Sequence, residues 1–213
     1  WSVEAQRQLA ACGEKHDLVV VSDEIHCDIV LPGHKHVPFS VAAPEARGRT
    51  VMMTSSTKTF NLAGMHTGNV ILEDEGLKAA FAATIAGLGL SPNAFAKHMV
   101  PAAYSPEGAQ WVDEMCAYIG QNAQVFDAGI NAIPGLRSMP LEGTYLAWVD
   151  FGGTGMDRDE VMRRIAEDAK IAVNQGLTFG QGGESWNRFN LATPRSRVEE
   201  AVERMQKAFR DLQ

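Results

Sequence analysis

Two residues with complementary chemistry follow short apolar runs in this sequence. Lys58 comes shortly after the run Thr50-Val51-Met52-Met53, and Asp23 follows Val19-Val20-Val21-Ser22. A lysine amine can condense with an aldehyde, and a carboxylate beside a ring nitrogen keeps that nitrogen protonated, which makes the ring an electron sink. Either residue alone is weak evidence. Together, at the ends of two predicted strands, they predict a site for a pyridine aldehyde cofactor.

The elements that must position these residues alternate between strand and helix. Short apolar or β-branched runs predict strands at about 18–21, 50–53 and 68–72, and their character is typical of buried parallel strands. Ser2 is placed to cap a helix over residues 5–12, and helical periodicity returns at 74–88 and 92–104. This alternation predicts an α/β fold with a parallel-rich sheet flanked by helices.

A long helix is predicted from Pro106 almost to Pro134, with a length of about 40 Å at the α-helical rise. The pattern changes after it, and the following elements predict a smaller α+β unit: strands at 143–150, 171–173 and 188–191, and helices at 157–170 and 196–212. We therefore predict two domains. Residues 1–124 form the C-terminal part of a large domain, and residues 125–213 form a small C-terminal domain.

Composition excludes several classes of function. The 213 residues carry a formal charge of -7 and a pI near 5.4, which argues against a nucleic-acid surface. Cys12, Cys27 and Cys116 have neither a close pair nor the spacing of metal ligands, so no disulfide framework or metal site is predicted, and a reducing cytoplasm fits best. The weakly charged stretch 79–104 is interrupted by glycine and proline, so no membrane span is expected, and no export signal is visible.

Four segments carry a resemblance to a known family. The chain resembles the fold-type I enzymes that use pyridoxal phosphate (PLP), within the class I/II aminotransferase family, and most closely their MalY/PatB cystathionine β-lyase-like branch. The segments are Ser22-Asp23-Glu24-Ile25-His26, Ser55-Ser56-Thr57-Lys58-Thr59-Phe60-Asn61-Leu62-Ala63-Gly64, Gly143-Thr144-Tyr145-Leu146-Ala147-Trp148 and Arg188-Phe189-Asn190-Leu191-Ala192-Thr193-Pro194-Arg195. They follow the family's order along nearly the whole chain.

The resemblance implies roles for the residues around the cofactor. Lys58 would bond the PLP aldehyde and later move the substrate α-proton, and Asp23 would be the partner of the pyridine nitrogen. His26 stands where other aminotransferases have a tyrosine that contacts the ring hydroxyl oxygen; a structural histidine is the alternative. Ser55 matches a position whose hydroxyl contacts the cofactor phosphate. Many relatives place an arginine for that phosphate where this chain has His66, which would give a weaker, pH-dependent contact or be a plain loop residue.

Arg188 matches the arginine that binds the substrate α-carboxylate, a task suited to its planar fork of donors. Arg195 and Arg197 are close in sequence, but we assign them to a solvated helix start. The glycine-rich loop 174–180 resembles the segment beside the substrate entrance. Tyr145 and Trp148 alternate along a strand and are interpreted as core residues.

Complete members of the family are about twice as long, and the matched part is their C-terminal portion, so we expect the chain to be a fragment that binds PLP poorly alone. The expected activity of the full-length parent is a carbon-sulfur β-lyase that converts cysteine-type amino acids to pyruvate, ammonia and a thiol. An aminotransferase is the main alternative, and a noncatalytic regulatory module is a third. The resemblance also implies a homodimer and an amino-acid substrate.

Overall fold

The protein, as a computed structural model, is described over residues 1–212 and divides into two compact units, Trp1–Glu114 and Met115–Gln213. The division falls inside the helix α6 (Pro106–Asn131). The domain boundary predicted after residue 124 lies in the same helix and stays a prediction.

The first unit contains a three-stranded sheet and several helices. Ser2 caps the first helix, because its side-chain oxygen accepts from the backbone N–H of Ala5 at 3.1 Å. The elements in chain order are α1 (Val3–Lys15), β1 (Val20–Asp23), α2 (Phe39–Ala42), β2 (Thr50–Thr54), α3 (Ser56–Thr59), β3 (Asn69–Leu72), α4 (Glu75–Gly87) and α5 (Ala96–Ala103). The start of α6 completes the unit.

The strand order in this sheet is β1-β2-β3, with β1 parallel to β2 and β3 antiparallel to β2. The prediction of a parallel third strand is therefore wrong. Its physical reason is the connection: Thr54 at the end of β2 pairs with Asn69 at the start of β3, so residues 55–68 begin and end at the same end of the sheet. A parallel strand would need a crossover back to the opposite end.

The core of the first unit lies between α1, α2 and the sheet. Ala10, Phe39, Ala43 and Ala46 form a buried cluster, and Val20 of β1 packs against it. In contrast, α4 is mostly apolar and has no buried residue.

The second unit is built on a four-stranded antiparallel sheet of β4 (Arg137–Ser138), β5 (Leu146–Asp150), β6 (Asn174–Gln175) and β7 (Trp186–Asn190), in the order β4-β5-β7-β6. Its side chains Phe126, Val149, Phe151, Ile165 and Phe209 are at most 2% exposed and form the centre of the unit. The helix α7 (Arg158–Arg163) lies between β5 and β6 in the sequence, and α8 (Arg195–Ala208) follows β7.

Two details of this unit differ from the sequence-based expectation. The helix predicted over 157–170 is α-helical only over α7 and continues as a π-helical turn, Arg164–Asp168. The strand predicted at 171–173 is absent there: Lys170 is left-handed with φ 54°, and the N–H of Ile171 still bonds to the carbonyl of Ile165 at 2.9 Å. The chain is leaving the helix at these residues and enters the sheet only at Asn174.

Candidate active site

The parallel register of the first unit brings Asp23 and the Lys58 segment to one end of the sheet. Asp23, the last residue of β1, lies opposite Met53 near the end of β2, and Lys58 is in α3, which follows β2 after one residue. Neighbouring strands are about 4.8 Å apart, so residues that leave these two strand ends start from adjacent positions. Asp23 is exposed, and its Oδ1 accepts a long bond of 3.3 Å from the N–H of Ile25. Lys58 is half-buried.

Ser55 connects the Lys58 helix to the loop before β3. Its buried Oγ accepts from the N–H of Thr57 at 3.1 Å, which caps α3, and donates to the carbonyl of Thr67 at 2.8 Å. A hydroxyl has only one proton to donate. The predicted contact between Ser55 and a phosphate therefore requires this proton to turn away from Thr67, and the contact stays a prediction.

His66, the other residue predicted at the phosphate, precedes Thr67 in this loop. It is exposed and left-handed, with φ 44° and ψ 55°, at the end of the short 3-10 turn Ala63–Met65. Ser55 donates its hydrogen bond to Thr67, which directly follows His66. A role for the imidazole in phosphate binding stays a prediction.

His26 lies in the turn that follows β1, and this turn is tied to the Lys58 helix. Thr59, buried in α3, donates from its Oγ1 to Asp28 Oδ2 at 3.0 Å. Cys27 lies between His26 and Asp28 in the sequence, and its pKa is raised to about 11 by burial and, to a smaller extent, by the charges of Asp28 and Glu24. The structure therefore places the half-buried His26 in a segment anchored beside Lys58, and its contact with a ring oxygen stays a prediction.

Glu24 is a buried polar residue of this region that the sequence analysis did not assign. Its carboxylate accepts from Ser22 Oγ at 2.9 Å and from the N–H of Phe39 at 2.9 Å, and it lies 2.6 Å from His36 Nε2. Its own N–H donates to the carbonyl of Met53 at 2.8 Å. Glu24 thus fastens the end of β1, directly after Asp23, to both β2 and the segment before α2.

Arg188 lies in β7 of the second unit. Its Nη2 donates to Asn174 Oδ1 at 3.0 Å, and its guanidinium carbon lies 4.5 Å from the centre of the Phe179 ring. Its Nε is buried and has no hydrogen-bond partner among residues 1–212. Since an unsatisfied buried donor costs about 1–3 kcal/mol, an acceptor that reached it would recover free energy. The chemistry of this group suits a carboxylate, which stays a prediction for Arg188.

Aromatic side chains surround Arg188 on its face of the sheet. Trp148 of β5 pairs with Arg188 in the strand register, and its ring meets Phe179 edge-on with centroids 5.1 Å apart. Burial raises the pKa of Tyr145, an effect that the charge of Arg188 partly opposes. Asn174 and Phe179 were included in the sequence analysis only as part of a glycine-rich loop, and Trp148 only as core. Their relation to Arg188 depends on strand pairing, which no local pattern shows.

The groups at the end of the first sheet fit PLP. An amine able to bond an aldehyde and an exposed carboxylate able to pair with a protonated ring nitrogen follow adjacent strand ends. Residues 1–212 contain no cluster of histidine, cysteine and acidic side chains arranged to hold a metal ion. No described helix has the length and apolar character required to cross a membrane.

Comparison with known proteins gives a consistent result. The family described as aminotransferase class I and II matches residues 1–205. Cystathionine beta-lyase PatB of Bacillus subtilis (strain 168) is 33% identical over 98% of this chain and 54% of its own length, and Protein MalY of Escherichia coli (strain K12) is 32% identical over 99% and 54%. These two matches confirm the predicted resemblance.

A solved structure agrees in three dimensions. Cystalysin from Treponema denticola, which contains a pyridoxal 5'-phosphate cofactor, superposes with a TM-score of 0.93 at 30% identity, over 100% of this chain and 54% of that chain. The predicted fold class and the cofactor of the family are thus confirmed. The chain spans about half the length of the relatives that it matches. It belongs to the class I and II aminotransferase family of PLP-dependent enzymes.

Proposed function

We propose that the whole protein is a PLP-dependent carbon-sulfur β-lyase, and that this chain supplies its lysine, its acid partner and its carboxylate-binding arginine. The substrate would be a cysteine-type amino acid such as cystathionine, and the products pyruvate, ammonia and a thiol. The observation that carries the proposal is the parallel register that sets Asp23 beside the strand leading to Lys58. The name of the related cystathionine beta-lyase PatB supports a lyase.

Each of the site residues of this chain has a separate role in the proposed reaction. When bound, PLP accepts the electron pair released at the substrate α-carbon. The Lys58 amine would hold the cofactor by its aldehyde carbon, and once the substrate amine has replaced it there, the freed Nζ would take the α-proton. The Asp23 carboxylate keeps the ring nitrogen protonated, and Arg188 binds the substrate α-carboxylate through two parallel hydrogen bonds. His26 would contact the ring hydroxyl oxygen, and Ser55 and His66 the phosphate.

An aminotransferase is the second candidate, because the family model that matches the chain is described by that activity. Lys58, Asp23 and Arg188 would serve both reactions, so they do not separate them. In the proposed homodimer, much of the substrate pocket would come from residues outside this chain. The 213-residue chain alone is expected to bind PLP poorly, since α4 and the outer strands leave apolar side chains exposed.

A product assay on the whole protein separates the two activities. Release of pyruvate and a thiol from cystathionine without any added keto acid supports the lyase, whereas turnover that requires a keto-acid acceptor contradicts it.

Borohydride reduction followed by peptide mass spectrometry locates the PLP attachment. We expect the label on Lys58 and its loss in Lys58→Ala, while Lys78→Ala, which changes an exposed lysine of α4, should label normally. A label that persists in Lys58→Ala would contradict the assignment of the lysine.

A further inference from the structure

The guanidinium of Arg188 is held in two different ways. Asn174 Oδ1 accepts from its Nη2 at 3.0 Å, and its guanidinium carbon lies over the Phe179 ring, 4.5 Å from the ring centroid. Arginine donors all lie in the plane of the guanidinium, so a ring against its face uses none of them. Contact with the ring therefore restricts the Arg188 guanidinium without using its donors, which leaves Nε and the remaining Nη hydrogens for a ligand.

The loop that carries Phe179 is built to present it. Gly176 and Gly183 touch through their backbones, since a Cβ on Gly183 would lie 2.2 Å from the Gly176 carbonyl oxygen, and a Cβ on Gly176 would lie 2.4 Å from that of Gly183. Gly180 follows Phe179 with φ 118° and ψ -172°, a conformation essentially restricted to glycine. The two ends of the loop, Gly176 and Gly183, are therefore in direct backbone contact, and Phe179 is the last residue of the 3-10 turn Gly176–Phe179.

Burial does not explain the position of Phe179. Its side chain is 51% exposed, so it gains less from the hydrophobic effect than a core phenylalanine would. Its ring contacts the Arg188 guanidinium and forms a T-shaped pair with the Trp148 ring. An exposed aromatic ring placed over a cation by a glycine-constrained loop indicates a purpose for the contact itself.

We propose that Phe179 is a positioning residue for Arg188: it fixes the guanidinium plane so that the in-plane donors meet a carboxylate without first being ordered. This inference rests on the proposed function, in which Arg188 binds the substrate α-carboxylate. A donor fork that is already oriented loses less entropy on binding, so the benefit appears in the affinity for carboxylate. Asn174 assists by orienting Nη2 within the same plane.

The test uses the whole protein without substrate, with acetate as the carboxylate probe and acetamide as the uncharged control. The Nε–H signal of Arg188 is followed by ¹⁵N NMR and is assigned by its loss in Arg188→Lys. In Phe179→Leu, which keeps apolar bulk but removes the ring, we expect this signal to lose its upfield ring-current shift and acetate to bind roughly two- to fivefold more weakly. Phe179→Tyr should restore both, and Leu177→Ala in the same loop should change neither.

The outcomes separate this inference from the proposed function. If Phe179→Leu leaves both the Arg188 signal and the acetate affinity unchanged, the positioning role is wrong. If the unsubstituted chain shows no response of Arg188 to acetate while Phe179→Leu still moves the signal, the stacking stands and the carboxylate-binding role of Arg188 is wrong. Loss of acetate binding in Leu177→Ala to the same extent as in Phe179→Leu would assign the effect to the loop as a whole and overturn the inference.

Discussion

Removing the buried carboxylate of Glu24 should loosen the end of β1 that carries Asp23. The side chain of Glu24 is 5% exposed and accepts from Ser22 Oγ and from the N–H of Phe39. In Glu24→Ala the N–H of Phe39, whose residue is buried, loses its acceptor. Ser22 is half-buried, and the His36 side chain is 34% exposed, so both can turn to water instead.

The expected loss in the free energy of unfolding follows from these contacts. One buried N–H without a partner costs about 1–3 kcal/mol. The space left by the missing side chain adds roughly 1 kcal/mol, so Glu24→Ala should lower the free energy of unfolding by about 2–4 kcal/mol. Such a loss is a large part of the roughly 5–15 kcal/mol that stabilises a typical domain, and is readily measured. Glu24→Gln keeps an acceptor for Phe39 and should lose only about 1 kcal/mol.

Urea unfolding gives the free energies, and hydrogen exchange followed by mass spectrometry localises the effect. We expect faster exchange in the peptides that contain β1 and Phe39, with little change in the second unit. Glu14→Ala, which truncates an exposed acid of α1, is the matched control and should change the free energy of unfolding by less than about 0.5 kcal/mol. A loss below about 1 kcal/mol in Glu24→Ala would refute the argument that the carboxylate satisfies a buried donor.

Two further predictions concern packing and acidity. Gly129→Ala should lower the free energy of unfolding of the second unit, measured in urea, by about 1–3 kcal/mol, because the new Cβ would lie 2.1 Å from Val202 Cγ1. Gly87→Ala is the control: no atom lies within 4 Å of its Cβ position, so the change should be neutral or stabilising. Equal effects of the two substitutions would contradict the packing argument. Cys27, with a pKa raised to about 11 by burial, should react with iodoacetamide about a hundredfold more slowly at pH 8 than a thiol of pKa 9.0, and mass spectrometry should show the exposed Cys12 labelled first. Because the Cys27 thiol ionises at lower pH in the unfolded chain than in the folded one, the free energy of unfolding should fall as the pH rises from about 9 to about 11. If Cys27 reacted readily with iodoacetamide at pH 8, its burial would be contradicted.

Local signals were sufficient to predict that Asp23 and Lys58 follow strands, because short apolar runs mark β1 and β2, but the expected burial of both strand faces was wrong, since β1 has no buried residue. The direction of β3 could not be read in this way, since it depends on the pairing of Thr54 with Asn69 across the connection. The stacking of Phe179 on Arg188 likewise depends on how a glycine-rich loop folds back on itself.

The capping role of Ser55 was visible in principle, because serine before a helical turn commonly accepts from the N–H two residues later. The resemblance of Ser55 to a phosphate-binding position predicts a contact with the cofactor instead. The buried Glu24 illustrates the opposite difficulty, since an isolated glutamate in a sequence gives no sign that three groups will converge on it.

The alternation of side chains along β1 gives two adjacent acids opposite surroundings: Asp23 is exposed and Glu24 is buried. Adding a single residue within this strand would move Asp23 to the buried position, and deleting one would move Glu24 to the exposed position, so in either case a carboxylate would be misplaced. Length changes between residues 31 and 35, where the chain forms no helix and no extended strand, do not shift the side chains of β1 between its faces. Insertions and deletions in natural variants should therefore accumulate in that loop and avoid the four residues of β1.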